Sequence, residues 1–439
     1  MRFVVFGGGR VWEQRYLPAL QSLSGPEALE VESAENVPSV LAKGLPGGVK
    51  VVFACEDPDR RLGASRPVRL DRYFSRGELG ATDKVLILSP PQDHLRHLEL
   101  VLGAWPGGGL YSSSAAPSGD SGQLPEIFIE KPLYLLGERE RWECLLRERP
   151  ELSRRAYYVD HYSYKQPIRV MSGQGREWLS RLGRLRRIAW VSLEARPFWE
   201  SRAFAQGYWL EHGCHLFAMM RKLLKVDDKS AGTASGGKPQ AAGAGRQGQE
   251  ATIVSGGLGF VPAREHEWGA WIQEGRPPGC GAESAALLHL RARAGWRAAS
   301  STGDSPTSPS LEGVELTVMV GKGLVDRKVV HLEGEQGSCQ VWFNEGRVLL
   351  RTEAGLEEYR MPAEDAYVAV VKDIVRSGPD RGDLLSLKTG IEDQEAVIAL
   401  SKGLREKVAH AGSYRPGEVP AEMAAELRQL GLEQLGLAG

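Results

Sequence analysis

The chain has 439 residues, more than one hydrophobic core usually serves, so two domains are expected. With 42% hydrophobic and 25% charged residues it has an ordinary globular composition, and its net charge of −1 supplies no field to hold nucleic acid or an anionic membrane. Five scattered cysteines without a CxxC pair argue against a disulfide framework or zinc ribbon, and no apolar run reaches the ~20 residues that span a bilayer, so a cytoplasmic protein without a metal is expected.

Arg2–Phe6 reads as a short buried strand, too brief for the apolar stretch of a secretion signal. It runs into Gly7-Gly-Gly-Arg-Val-Trp12 and then a helical pattern through Tyr16, Leu17, Leu20 and Leu23. Strand, glycine turn and helix is the setting in which such a turn binds a pyrophosphate. Gly7 permits the tight turn, and Gly9 lets N–H groups approach the anion at the helix start. The third glycine of that fingerprint would stand where this chain has Trp12, so a plain strand-to-helix turn stays open beside the phosphate-binding one. Val49–Cys55 is the stronger candidate for the second strand and Leu29–Glu32 the weaker; in the first case residues 25–48 contain an insertion. Glu56, just beyond, would accept hydrogen bonds from a ribose, whereas Arg60 and Arg61 favour a 2′-phosphate.

Lys84–Ser89 is the next strand, stopped by Pro90 and Pro91. A helix begins near Asp93 with His94 and His97 one turn apart, without further ligands at metal-binding spacing. His94 lies where it would face either a cofactor or solvent. Residues 106–125, rich in Gly, Ser, Ala and Pro, read as a loop or insert. Ile127-Phe-Ile-Glu-Lys-Pro-Leu133 follows, a buried strand with Glu130 and Lys131 at its carboxyl end before a proline that cannot continue the ladder. Both are thereby delivered to the sheet rim at which open α/β sheets bind ligands. After a helix over 137–149, the strand Arg155–Val159 ends in Asp160, His161, Tyr162 and Lys165. That density of polar groups suits either an oxyanion- or hydroxyl-binding cluster or a hydrogen-bonded corner.

From 184 to 194 the alternation suggests an antiparallel sheet with one face buried. In Gly207–Met220, Glu211 and His215 are four apart and so neighbours on one helix face. A carboxylate beside a histidine fixes its tautomer and raises its basicity, which suits a general base, although a core histidine is the plainer alternative. His212 and His215 form HxxH without a third ligand. Residues 228–250 and 298–312 read as linkers, among strand-like runs at 252–261, 284–292, 314–320, 325–332 and 338–350. From Asp365 the tail is helical, with Tyr367, Val370, Val371 and Ile374 on one stripe and a second helix over 391–408. The fold expected is α/β plus α+β. A doubly wound parallel sheet over 1–160 precedes a domain over 161–439 with a large, mostly antiparallel open sheet and helices on one face, with packing of the last helices back on the first domain left open.

In this order the pieces resemble the Gfo/Idh/MocA family of nicotinamide-dependent sugar and polyol oxidoreductases. The carrying residues are Gly7-Gly-Gly-Arg-Val with Pro18-Ala-Leu20, Leu86-Ile-Leu-Ser-Pro-Pro91 with His94, Glu130-Lys-Pro132, and Glu211-His-Gly-Cys-His215. The resemblance implies NAD or NADP held by Gly7, Gly9, Arg10, Val11, Glu56, Ser89, Pro90, Pro91, His94, Glu130 and Lys131. It implies that Lys131 contacts both nicotinamide and substrate hydroxyl, and that His215 transfers the proton with Glu211 standing where the family shows aspartate. The corner at 160–165 is similar to the Asp-His-Tyr-x-x-Lys segment of the glucose-6-phosphate dehydrogenase family, which implies that His161, Tyr162 and Lys165 bind an anionic group, with Asp160 and His212 beside them at the substrate. A sugar-like small molecule is the implied partner, and an open sheet in the second domain often serves as a subunit interface in the family. The alternative is a dinucleotide-binding regulator or inactive homologue, suggested by Trp12 and Glu211.

Overall fold

In the computed structural model the residues described are 2–7, 11–24, 28–32, 44–55, 68–69, 79–105, 124–134, 137–173, 176–194, 208–224, 251–260, 285–292, 314–322, 326–361, 365–376, 384–407, 412–413, 421–430 and 432. The chain divides into two compact units. Met1–Tyr164 with Glu364–Glu395 form the first, and Lys165–Ala363 with Ala396–Gly439 the second. Of the expected loop at 106–125, residues 106–123 lie outside the described residues, as do the expected linkers at 228–250 and 298–312.

The first unit is built on strands β1 (Arg2–Phe6), β2 (Ala28–Glu32), β3 (Gly44–Cys55), β4 (Val68–Arg69), β5 (Lys84–Ile87), β6 (Glu126–Glu130) and β7 (Ala156–Val159). Their order is β7-β6-β5-β1-β3-β2, all parallel, with β4 also on β3 and the short strand Leu385–Ser386 antiparallel on β7. The central strands are continuous apolar runs: every residue of Val85–Ile87 and Ile127–Ile129 is buried, as expected of a sheet covered on both faces. Both candidates for the second strand are strands; 49–55 lies next to β1, and 28–32 pairs outside it. The order reverses between β1 and β5, and such a switch point opens a crevice at the strand carboxyl ends. One face is sealed by Trp12, Tyr16 and Leu20 packing with Phe3, Val5 and Phe128. Tyr367, Val370, Val371 and Ile374 complete that cluster from the helix Ala366–Val375. Asp365 starts this helix by accepting the Tyr367 N–H at 2.9 Å.

The second unit carries β8 (Leu185–Glu194), β9 (Ala251–Phe260), β10 (Ala285–Ala292), β11 (Glu315–Lys322), β12 (Arg327–Gly334), β13 (Gly337–Trp342), β14 (Arg347–Thr352) and β15 (Gly355–Arg360). The order is β15-β14-β13-β12-β8-β11-β10-β9, with Gly412–Ser413 on the far edge. Pairing is antiparallel except between β8 and β11 and at that edge. The run 338–350 is two strands, because Gly346 turns the chain at φ +57°. Sequence alternation suggested one buried face for β8, but Ile188–Leu193 are buried throughout. This strand is central, and Leu427, Leu430 and Leu432 pack with Ala189, Val191 and Leu193 on one of its faces. Among the described residues no helix is long and apolar enough to cross a membrane.

Candidate active site

At the switch point β1 and β5 end backbone against backbone. Gly7 turns the chain at φ +79°, and a Cβ there would lie 2.5 Å from the Ser89 nitrogen and Cα. Only glycine satisfies both demands. The Leu88 N–H donates to the Phe6 carbonyl at 2.8 Å, joining the strand ends. Pro91 opens the helix Pro91–Ala104, where its missing N–H costs nothing. Val11, at the start of the first helix, is exposed.

His94 and His97 of that helix point inward. The Ser89 hydroxyl meets His97 Nδ1 at 2.8 Å, and the Ser89 carbonyl lies 2.7 Å from His94 Nε2. The other ring nitrogen of His94 lies 3.0 Å from the Leu133 carbonyl. The surface position that the sequence allowed for His94 is thus not taken: the ring is fully buried and ties the end of β5 to the turn after β6. Burial lowers its pKa to about 4, against the two carbonyls, which favour the charged ring. A neutral imidazole donates at one nitrogen only, so the other carbonyl is then met by a lone pair.

Glu130 closes β6 and is buried. The Tyr16 hydroxyl donates to its Oε1 at 2.9 Å, and the Lys131 backbone N–H donates to its Oε2 at 3.1 Å. Burial raises this carboxyl to about 7, while the Lys131 ammonium and Tyr16 hydroxyl pull it down. Lys131 itself is half-buried, and the Lys131–Pro132 peptide is cis. Beyond it the Leu133 N–H donates to Gln394 at 3.3 Å and the Tyr134 hydroxyl to Glu395 at 2.5 Å, anchoring the turn. Tyr16 arrives by an unusual local route. Where the glycine fingerprint needs its third glycine for close helix–strand packing, Trp12 opens a π-turn over Trp12–Tyr16, and its indole is buried in the core.

The corner after β7 is a hydrogen-bonded turn. Asp160 is buried, with Oδ1 accepting the Tyr162 N–H at 2.9 Å and its carbonyl accepting the Ser163 hydroxyl at 2.7 Å. Tyr162 is 1% exposed, whereas His161 is half-buried and reaches solvent. His161 stacks on Tyr367 with ring centroids 4.9 Å apart, and its Nδ1 meets the Tyr367 hydroxyl at 3.3 Å. Lys165, half-buried, begins the second unit and precedes the helix Gln166–Ser172. Tyr16 and Tyr367 were legible only as core stripe; no spacing distinguishes a phenol that reaches an acid from one that fills space.

In the second unit the helix Tyr208–Leu224 carries Glu211, His212 and His215. Both histidines are buried and meet edge to face with centroids 5.2 Å apart. Trp209 Nε1 donates to the Val397 carbonyl at 3.0 Å. Gly213 packs closely here: a Cβ would lie 3.0 Å from the Trp209 and Val397 side chains, which would have to give by a few tenths of an ångström. The Glu211 side chain, Gly9, Arg10 and Glu56 lie outside the described residues.

No protein-family model and no curated protein matches the chain. Solved structures of the same two-domain fold do. KijD10, a 3-ketoreductase from Actinomadura kijaniata in complex with NADP and TDP-benzene, superposes with TM-score 0.55 at 15% identity, covering 95% of this chain and 99% of that one. An oxidoreductase from Agrobacterium radiobacter in complex with NAD+, L-tartaric acid and magnesium reaches 0.57 at 11% identity over 92% and 96%. The UDP-N-acetylglucosamine 3-dehydrogenase GnnA from Acidithiobacillus ferrooxidans reaches 0.53 at 13% identity over 93% and 97%. At these identities the likeness establishes the fold: a parallel doubly wound sheet joined to a large, mostly antiparallel one.

Proposed function

We propose that the chain is an NAD(P)-dependent oxidoreductase that moves a hydride between a nicotinamide and a CH–OH/C=O group of a sugar, polyol or sugar phosphate. One observation carries this reading. Glu130 and Lys131 stand at the carboxyl end of β6, next to a β1–β5 switch point that opens on a glycine at positive φ. The residues suit a dinucleotide in that respect: Gly7 supplies the turn that its fingerprint requires, and a π-turn accommodates Trp12 at the position of the missing glycine. The cofactors and reactions named for the three similar structures, and the resemblance to Gfo/Idh/MocA oxidoreductases, support the same reading.

A bound nicotinamide would supply the hydride acceptor or donor. Lys131 would stabilise the alkoxide that develops on the substrate oxygen, and one well-aimed donor of this kind contributes roughly 3–4 kcal/mol. His215 would hold the hydroxyl proton, with Glu211 raising its basicity. His161, the solvent-reaching member of its corner, would lead substrate recognition, and Asp160, Tyr162, Lys165 and His212 would contribute to it.

The test mixes purified protein with NAD or NADP and a panel of sugars and sugar phosphates, following the absorbance of the reduced cofactor. Lys131→Ala and His215→Ala should each lower turnover at least about a hundredfold while dinucleotide binding persists. Full activity in either variant ends the assignment of that residue. Trp12 in place of the fingerprint glycine and Glu211 in place of aspartate motivate a second reading, a dinucleotide-binding regulator. Binding without turnover across the panel would select it.

A further inference from the structure

We propose that Tyr16 is a positioning residue: its phenol holds the Glu130 carboxyl in the orientation that pins the Lys131 peptide, so the state of this buried pair sets where the Lys131 side chain stands. The inference rests on the reading of Lys131 as the cation at the reacting oxygen.

The geometry is a three-part relay inside the first unit. The Tyr16 hydroxyl reaches one oxygen of Glu130 at 2.9 Å, and the other oxygen takes the Lys131 N–H at 3.1 Å. The Tyr16 hydroxyl and the Lys131 N–H both donate to an ionised Glu130, whereas a protonated Glu130 donates its own O–H to the Tyr16 oxygen and offers the Lys131 N–H only a neutral, weaker carbonyl acceptor. Ionised and protonated forms therefore hold the Glu130–Lys131 peptide with different strength. The surroundings make both forms accessible near neutral pH, because burial raises the Glu130 carboxyl to about 7. Charged and titratable neighbours among the described residues bear on that balance. Lys131 on the same turn and the Tyr16 hydroxyl on the first helix favour the carboxylate, whereas Asp160 after β7 opposes it. Tyr367 on the helix Ala366–Val375 faces Glu130 and Tyr16 and is itself faced by Arg15, Asp160 and Asp365, while Tyr164 faces Tyr16. Tyr16 is fully buried, and its ring meets Tyr367 edge-on with centroids 5.2 Å apart, so the hydroxyl cannot swing away without opening the core. The π-turn that begins at Trp12 ends at Tyr16. The departure from the glycine fingerprint and the delivery of a phenol to Glu130 thus share one structural feature, in keeping with the frequent use of π-turns at functional sites.

The experiment follows the Lys131 amide in protein labelled with 15N-lysine, its cross-peak assigned by its loss in Lys131→Arg. In the native protein the peak should shift with a midpoint near neutral pH. Tyr16→Phe keeps the ring and removes only the donor, so the midpoint should rise by about one pH unit. In Glu130→Gln the amide should not titrate there at all. Where turnover is measurable, the acid limb of its pH profile should move with the NMR midpoint in Tyr16→Phe, with kcat lowered and KM for the dinucleotide unchanged. A midpoint identical in Tyr16→Phe and native protein overturns the proposal. So does a Lys131 amide that still titrates near neutrality in Glu130→Gln, which decides the matter even if Tyr16→Phe fails to fold. Coupled NMR shifts in a protein without turnover would support the relay and remove the dehydrogenase reading instead.

Discussion

Position 7 has no room for a methyl group. Gly7→Ala forces a side chain into φ +79° and brings its Cβ 2.5 Å from the Ser89 backbone, which cannot rotate away. The strained backbone alone costs about 1–3 kcal/mol, and the overlap adds to it. The urea midpoint of the variant should fall accordingly, and dinucleotide binding should be lost; native stability in Gly7→Ala would mean that β1 and β5 end differently. Glu130 makes a second residue-level prediction. Its carboxyl is raised from 4.5 to about 7 in the native state. Between those values the folded protein keeps a proton that the unfolded chain has released. The stability it contributes is complete below about pH 4.5 and is lost as pH rises through 7, about 3 kcal/mol in all. Urea titrations should therefore find Glu130→Gln gaining on native protein as pH rises across this window, and a constant difference would show that the acid is not perturbed.

The parallel sheet is held in register by charge as well as by apolar runs. Lys84 and Glu126 are directly opposite on β5 and β6, both buried and in contact as an ion pair. Arg155, just before β7, lies 3.5 Å from Glu126 and also donates to the carbonyls of Leu124 and Ala81 at 2.8 and 2.9 Å. A slip of one residue would strand these charges inside. Lys84→Ala leaves Glu126 buried without that partner and should cost about 3–5 kcal/mol. The double replacement Lys84→Met with Glu126→Leu should cost far less, because it removes both charges from the interior. Equal destabilisation by the single and double variants would refute the pairing. Pattern alone located β5 and β6 and put Glu130 and Lys131 at a rim, because a strand buried on both faces is written as an unbroken apolar run. The partner of Lys84 was not legible, since a lysine at a strand start looks like any exposed cation until its neighbour across the ladder is known.

The first unit is discontinuous, closed by residues 364–395 from far along the chain. Tyr367, Val370, Val371 and Ile374 bury themselves against Trp12, Tyr16 and Phe128, so residues 1–164 alone expose a large apolar face. A fragment of residues 1–164 should lack a cooperative thermal transition, and adding a peptide of residues 364–395 should restore one. Cooperative unfolding of the fragment by itself would show that this helix is dispensable.

The amino-acid sequence determined the alternation of strands and helices in the first unit, the sheet-rich character of the second, and the turn that carries Glu130 and Lys131. These are local: periodicity, proline and glycine are written residue by residue. The tertiary structure decided that β3 lies beside β1 with β2 outside it, that β8 is covered on both faces, that His94 is buried between two carbonyls, and that Tyr16 and Tyr367 reach the acid and the histidine of the rim. Each depends on residues distant in the chain, and burial, which shifts the Glu130 carboxyl and the His94 ring in opposite directions, exists only once those segments have met.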